Sequence, residues 1–249
     1  MGTKRDSLQQ KRAALKKKRR EAKRKAQLQR THEENRALAE DALQVFEASD
    51  LPMEPDALRL SSIKVTYDPI ESEGERNLPA AAIAQLEALH DLCQTKPNQA
   101  IQPLEELKQR YPGIPRIYNY LCAAYMTAGE TAKANEIILE NYRLNPDYLF
   151  AKLNYAGLCL QEGNTAELYK IFDNQFDLGL LYPKRKEFHV SEVVGFYGMM
   201  GRFYLATGNK HAAQICHKMI NQLDSRHPVT KALTRDLLLS RVQAFFKKK

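Results

Sequence analysis

The residue types that do chemistry are present in this chain, but their spacings do not assemble it. Six histidines (His32, His90, His189, His211, His217 and His227) form neither an HExxH pair nor a cluster with cysteine. His211 and His217 lie six apart, not the four that would put two ligands on one helix face, so no metal site is expected. Cys93, Cys122, Cys159 and Cys216 are 29, 37 and 57 residues apart and make no CxxC pair. That spacing argues against a disulfide framework or a thiolate zinc site, and the four read as small buried hydrophobes in a reducing compartment. Gly195, Gly198 and Gly201 fall inside a predicted helix with no Gly-Lys-Ser/Thr after them, so they are not a phosphate loop; small residues there allow close helix packing or narrow the floor of a groove. Gly-x-Ser-x-Gly is absent as well. The residues give no reason to expect an enzyme or a cofactor.

One chemistry is dense, and it is cationic. Lys16, Lys17, Lys18, Arg19 and Arg20 are followed by Lys23, Arg24 and Lys25. A run of five covers more than a full helical turn, so its charge faces all sides and suits wrapping by phosphates better than docking on one flat surface. Neutralising phosphates releases counterions, so the run is a candidate for salt-sensitive, sequence-tolerant binding to RNA, a ribonucleoprotein or DNA. The arm has no Phe, Tyr or Trp, which removes base stacking as a source of specificity. A purely solubilising tail, a nuclear-import signal in a eukaryotic host, and attraction to an anionic membrane are the other readings of the same residues.

The charge is unevenly placed along the 249 residues. The formal net charge is +8, with 14 Lys/Arg against 4 Asp/Glu in residues 1–36, 3 against 10 in residues 37–80, and 21 against 16 in residues 81–249. The chain divides accordingly into a basic arm, an acidic linker and a body long enough to bury a real core. Leu8, Leu15 and Leu28 are too sparse to bury, so the arm is expected to be disordered or transiently helical. In the linker, residues 36–46 suit a short helix with Leu38, Ala42, Val45 and Phe46 on one face, broken after it by Pro52 and Pro55. Leu58, Leu60, Ile63, Val65 and Tyr67 then alternate as an extended segment with no visible partner strand. It is expected to lie on the body or to order with a partner, and Glu71, Glu73 and Glu75 are expected to be able to fold back on the basic arm. No run of 18 apolar residues is present, and the charged amino terminus lacks an apolar signal segment. Met1-Gly2 does not extend to a myristoylation motif, since Asp6 stands where Ser or Thr is needed. A cytoplasmic location is expected, or a nuclear one in a eukaryote.

The body carries a period. Pro112 recurs as Pro146, Gly129 as Gly163, Ala100 as Ala134 and Tyr125 as Cys159, each 34 residues on. Ile117, Tyr118, Leu121, Ala124 and Tyr125 share one helical face, and Ala134, Ile137, Ile138 and Tyr142 share another. Gly129 between them is a helix stop, so each unit is expected to be an antiparallel helix pair. A fixed period of this size signals stacked units that bury their apolar faces against their neighbours.

Tyr118-x2-Leu121-Cys122-x2-Tyr125, then Ala134-x3-Ile138, then Pro146 resembles the tetratricopeptide repeat, in which Trp-x2-Leu-Gly-x2-Tyr, Ala-x3-Phe and Pro recur. Tyr197-x2-Met200-Gly201-x2-Tyr204 with Gly208, Ala213 and His217 is a second copy; Lys152, Tyr155, Ala156, Cys159, Gly163, Leu168 and Phe172 hold the spacing of a weaker one between them. A degenerate first copy keeps Ala100, Leu104 and Pro112. The resemblance covers about two-thirds of the chain and implies an all-α fold: a right-handed α-solenoid of about four hairpins, with units at about 81–114, 115–148, 149–182 and 194–227. An insertion at about 183–193 separates the last two, and residues 229–246, with Leu233, Leu237, Leu238, Val242, Phe245 and Phe246, are expected to form a capping helix.

In this family the first helices of successive units line a concave groove for peptides or partner helices. The resemblance therefore implies a protein-binding groove at Arg116, Asn119, Ala123 and Thr127, then Phe150, Leu153, Gly157 and Leu160, then Arg202 and Leu205. Leu153, Leu160 and Leu205 are equally compatible with the core. The subfamily that grips heat-shock chaperone tails uses Lys and Asn at positions held here by Gln85 and Leu89, so that carboxylate clamp has no anchor. The mostly neutral groove suggests an apolar or mixed peptide. Two functions follow as expectations. One is an adaptor or scaffold, with a protein in the groove and an anionic polymer on the arm; the other is a chaperone for a single client or assembly, with the arm incidental.

Overall fold

The computed structural model describes residues 63–70 and 74–246, with side-chain surroundings given as far as residue 240. The described residues are mostly helical. Ten helices run in order: α1 Ala80–Thr95, α2 Pro97–Arg110, α3 Pro115–Ala128, α4 Thr131–Leu144, α5 Leu149–Gln161, α6 Thr165–Ile171, α7 Leu178–Leu181, α8 Val190–Ala206, α9 Lys210–Leu223 and α10 Pro228–Phe246. Two three-residue strands, β1 Lys64–Thr66 and β2 Glu187–His189, and a 3-10 turn at Glu75–Asn77 complete the list.

The starts and stops follow from residue chemistry. Pro97, Pro115 and Pro228 open helices, where the missing N–H would have had no partner. Asn164, Asp177 and Asn209 cap the next helices with side-chain oxygens that accept from Glu167, Leu180 and Ala212 N–H groups. Gly129, Gly163 and Gly208 end α3, α5 and α8 at φ of 81°, 75° and 86°, a backbone region costly for any side chain. After Gly129, the Glu130 N–H reaches back to the Tyr125 carbonyl (2.9 Å); after Gly163, Asn164 does the same to Cys159 (2.8 Å).

Four pairs, α1/α2, α3/α4, α5/α6 and α8/α9, pack as hairpins, and the first helix of each pair also packs on the first helix of the next. The resulting row is α1, α3, α5, α8, α10. The core follows the 3.6-residue period: Ile117, Tyr118, Leu121, Ala124 and Tyr125 on α3, Ala134, Ile137 and Ile138 on α4, and Val193, Phe196, Tyr197 and Met200 on α8 are all buried. Gly198 and Gly201 make close packing possible. A Cβ at Gly201 would lie 2.5 Å from Leu233 Cδ2, and one at Gly198 would collide with Val229 Cγ1, both on α10. The final helix starts one residue before the expected 229 and buries Leu233 and Leu237, whereas Leu238 is 56% exposed.

Three expectations need correction. The second helix of the third unit is short: α6 ends at Ile171, and Asp173 and Asn174 follow at φ 50° and 57°. Both residues tolerate left-handed geometry, and the Asn174 N–H closes the turn on the Tyr169 carbonyl (2.8 Å). The insertion ends at His189, not 193, because α8 begins at Val190. Its cap is His189 and not Ser191: Nδ1 of His189 accepts from Ser191 N–H, while Glu192 Oε2 accepts from His189 N–H (2.9 Å). The extended linker segment has a partner strand after all, since β1 pairs in parallel with β2 in the register Lys64 to Glu187, Val65 to Phe188 and Thr66 to His189. The expected helix at 36–46 and the basic arm lie outside the described residues.

Candidate functional site

The row α1, α3, α5, α8 carries the residues expected to face a partner, and neighbouring helices bring several of them together. On α3, Arg116 Nη1 donates to Glu75 Oε2 (3.2 Å), its Nε donates to the Tyr120 hydroxyl (3.0 Å), and its guanidinium lies 5.4 Å from the Tyr120 ring centre. Asn119 accepts from Asn154 Nδ2 on α5 (3.1 Å), a bond that ties the two helices. Ala123 is half-buried, and the exposed Thr127 returns its hydroxyl to the Ala123 carbonyl. Phe150 is half-buried against Tyr148, with ring centres 5.7 Å apart. Gly157 leaves room for Met199: a Cβ there would sit 3.6 Å from the methionine methyl. Arg202 on α8 pairs with Asp236 on α10 (3.3 Å). Leu160 and Leu205 are half-buried, while Leu153, at 6% exposure, belongs to the core, as does Leu89 at 5%.

Both cations expected on this face are therefore already matched by carboxylates of the chain itself. Around Arg116 there is also an aromatic cluster that the repeat pattern did not single out. His90 meets Tyr120 at 5.4 Å between ring centres. Tyr148 sits just ahead of α5, and burial, with Glu75 and Glu192 nearby, holds its hydroxyl far above the usual phenol range. The signal for Tyr148 was its place one residue before a helix whose first turn faces α3. For Glu75, 41 residues away from Arg116 in sequence, the sequence gave no local cue.

A second cluster holds the insertion. Arg185 donates from Nη1 and Nη2 to Glu192 Oε1 and Oε2 (3.0 and 2.8 Å) and stacks 4.2 Å from the centre of the Phe188 ring. Glu192 also accepts from the His189 amide, so one buried carboxylate caps α8 and fixes the loop. Phe188 is fully buried beneath β1 and β2.

The thiols are chemically quiet. Burial pushes Cys93 and Cys122 up to about 11 and Cys216 up to about 12, so they carry protons at neutral pH. Among the described residues no group of three His, Cys, Asp or Glu side chains is placed to hold a metal ion, and no helix is long and apolar enough to cross a membrane. Lys16, Lys17, Lys18, Arg19, Arg20, Lys23, Arg24 and Lys25 lie outside the described residues. Comparison with family models, with curated proteins and with solved structures returns no match.

Proposed function

We propose that the chain is a non-enzymatic adaptor of tetratricopeptide-like build. In this reading about four helix hairpins and the capping helix α10 stack as a right-handed solenoid. A partner protein docks along the first helices of the units, and residues 1–36 bind an anionic polymer, with RNA or a ribonucleoprotein as the favoured class. The observation that supports the solenoid is the alternation of contacts, in which each first helix touches its own second helix and the first helix of the next unit, with left-handed glycines at the turns. The observation that supports the polymer is the segregation of 14 cationic residues into the first 36. A cytoplasmic setting, or a nuclear one in a eukaryote, fits both.

The reading is tested by purifying the full chain and a version lacking residues 1–36 at low salt and comparing nucleic-acid absorbance. Co-purifying RNA that disappears with the arm is the expected result. Equal absorbance ratios for both proteins overturn the polymer assignment.

A further inference from the structure

Residues 63–70 and 74–78 do not simply lead to the first helix. β1 pairs with β2 at the start of α8, the Lys64 N–H donates to the Lys186 carbonyl (2.8 Å), and the Tyr67 hydroxyl donates to the Leu223 carbonyl at the end of α9 (3.3 Å). A few residues later Gly74 lies beside Ile114 and Pro115 at the start of α3, Glu75 bonds Arg116, and Leu78 enters the core formed with α1 to α4. The chain thus travels from the fourth hairpin back to the second along the N-terminal ends of the first helices. On the way it covers one end of the face assigned to a partner.

We infer that this segment is an autoinhibitory strap: an acidic extended stretch of the chain's own that occupies, in cis, the seat where an acidic extended peptide of a partner protein docks. The inference rests on the reading of that face as a docking surface. The seat is Arg116 with Tyr120, Tyr148, Phe150 and His90, one cation ringed by aromatic groups. Its present occupant defines the chemistry it takes. Glu75 is only 12% exposed in its side chain and Arg116 27%, so the pair is well desolvated and charge-assisted. A segment extended enough to span two hairpins, bringing a carboxylate to this point, is what the strap is and what a competitor must imitate. The same observation redirects one expectation: Glu75 is committed to Arg116 of the body.

The strap is built to be displaced. Its strand pairing is three residues long, and the Lys64–Glu187 bridge, with side chains 73% and 45% exposed, adds little. What holds it is tethering, since a short linker gives a cis segment an effective concentration on the order of millimolar. Loosening either anchor should therefore let a peptide in from solution.

The test uses a fluorescent peptide with the sequence of residues 63–79, titrated by anisotropy against the full chain. Glu75→Gln removes the carboxylate without touching the backbone, and Lys64→Pro removes the donor to Lys186. Each variant is expected to bind the peptide at least about tenfold more tightly than the wild type, and adding Arg116→Glu should abolish the gain. A peptide carrying Glu75→Lys should bind only in the Arg116→Glu background. Equally tight binding to wild-type and loosened chains would leave the docking face standing and overturn the strap. Binding to none of them, while hydrogen exchange shows β1 released, overturns the strap and the docking face together.

Discussion

Between Pro115 and Leu144 the chain runs two fourteen-residue helices around a single left-handed glycine; between Leu149 and His189 it runs helices of 13, 7 and 4 residues and then a strand. Both regions follow the same repeat template, and they are stabilised by different physics. The first is held by apolar burial: Ile117, Leu121 and Ala124 are fully buried, as is Ala134 across from them. In the second, Lys152 stands 34 residues after Tyr118, in the place of that buried aromatic, and is itself only 6% exposed. Its ammonium donates to the Ile171 carbonyl (2.9 Å), the last residue of the shortened α6, where a helix leaves carbonyls without partners. Asp177 accepts from Leu180 N–H and from the Tyr197 hydroxyl, and Arg185 closes on Glu192. The irregular region replaces part of a hydrophobic interface with satisfied polar groups, and in doing so creates the edge on which β1 docks.

Substitutions can separate the two modes. The largest effect is expected at Phe188, fully buried under the strand pair: Phe188→Ala should lower stability by about 3–5 kcal/mol in denaturant unfolding, comparable with Leu121→Ala in the regular hairpin at about 2–5 kcal/mol. Equal sensitivity would show that one cooperative core spans both regions. Breaking the clasp comes next. Arg185→Ala leaves Glu192 without its cation, and with side-chain exposures of 34% and 12% the loss should be about 2 kcal/mol. A loss near zero would mean that the clasp is ornamental and that Phe188 alone orders the insertion.

A pH effect belongs to the C-terminal end. Burial lowers the pKa of His217, whose Nε2 lies 2.7 Å from Thr234 Oγ1, and of His227, whose Nδ1 accepts from the Val229 N–H at the start of α10. A lowered imidazole pKa means that the unfolded chain binds protons first. Stability should accordingly be full above the ordinary value of 6.5 and fall as pH drops below it. Replacing His217 and His227 with Gln should flatten that fall in thermal melts, and an unchanged slope would remove these two groups as its source. The smallest effects are expected at the turns: Gly129→Ala should cost about 1 kcal/mol because of its φ of 81°, whereas Asn174→Gly should gain up to about 1 kcal/mol.

What could be read from residues alone was whatever repeats locally. Gly129, Gly163 and Gly208 marked the turns, the 34-residue shift placed α3 to α5, and the apolar spacing of Leu233 and Leu237 located α10. The early stop of α6 escaped because Asp173 and Asn174 are unremarkable on a helix surface and matter only through their left-handed backbone. The β1–β2 pair escaped because three residues carry too little alternation to signal a strand, and the two segments are more than a hundred residues apart. The candidate site was legible as positions and not as environments. The repeat register puts Arg116 and Arg202 on the row of first helices, yet nothing local says that Glu75 and Asp236 already neutralise them, or that Leu153 turns inward.

The division of labour between arm and array is tested most directly by titrating a single-stranded RNA oligonucleotide with the full chain across a salt series, alongside a variant in which Lys16, Lys17, Lys18, Arg19, Arg20, Lys23, Arg24 and Lys25 are all Gln. The full chain should bind with a slope of log K against log salt of about −5, as expected when roughly eight cations each release counterions from a single strand. The variant should lose that binding while its helical signal and melting are unchanged. Binding that persists in the variant with the same slope would contradict the assignment and move the anionic partner onto the helical body.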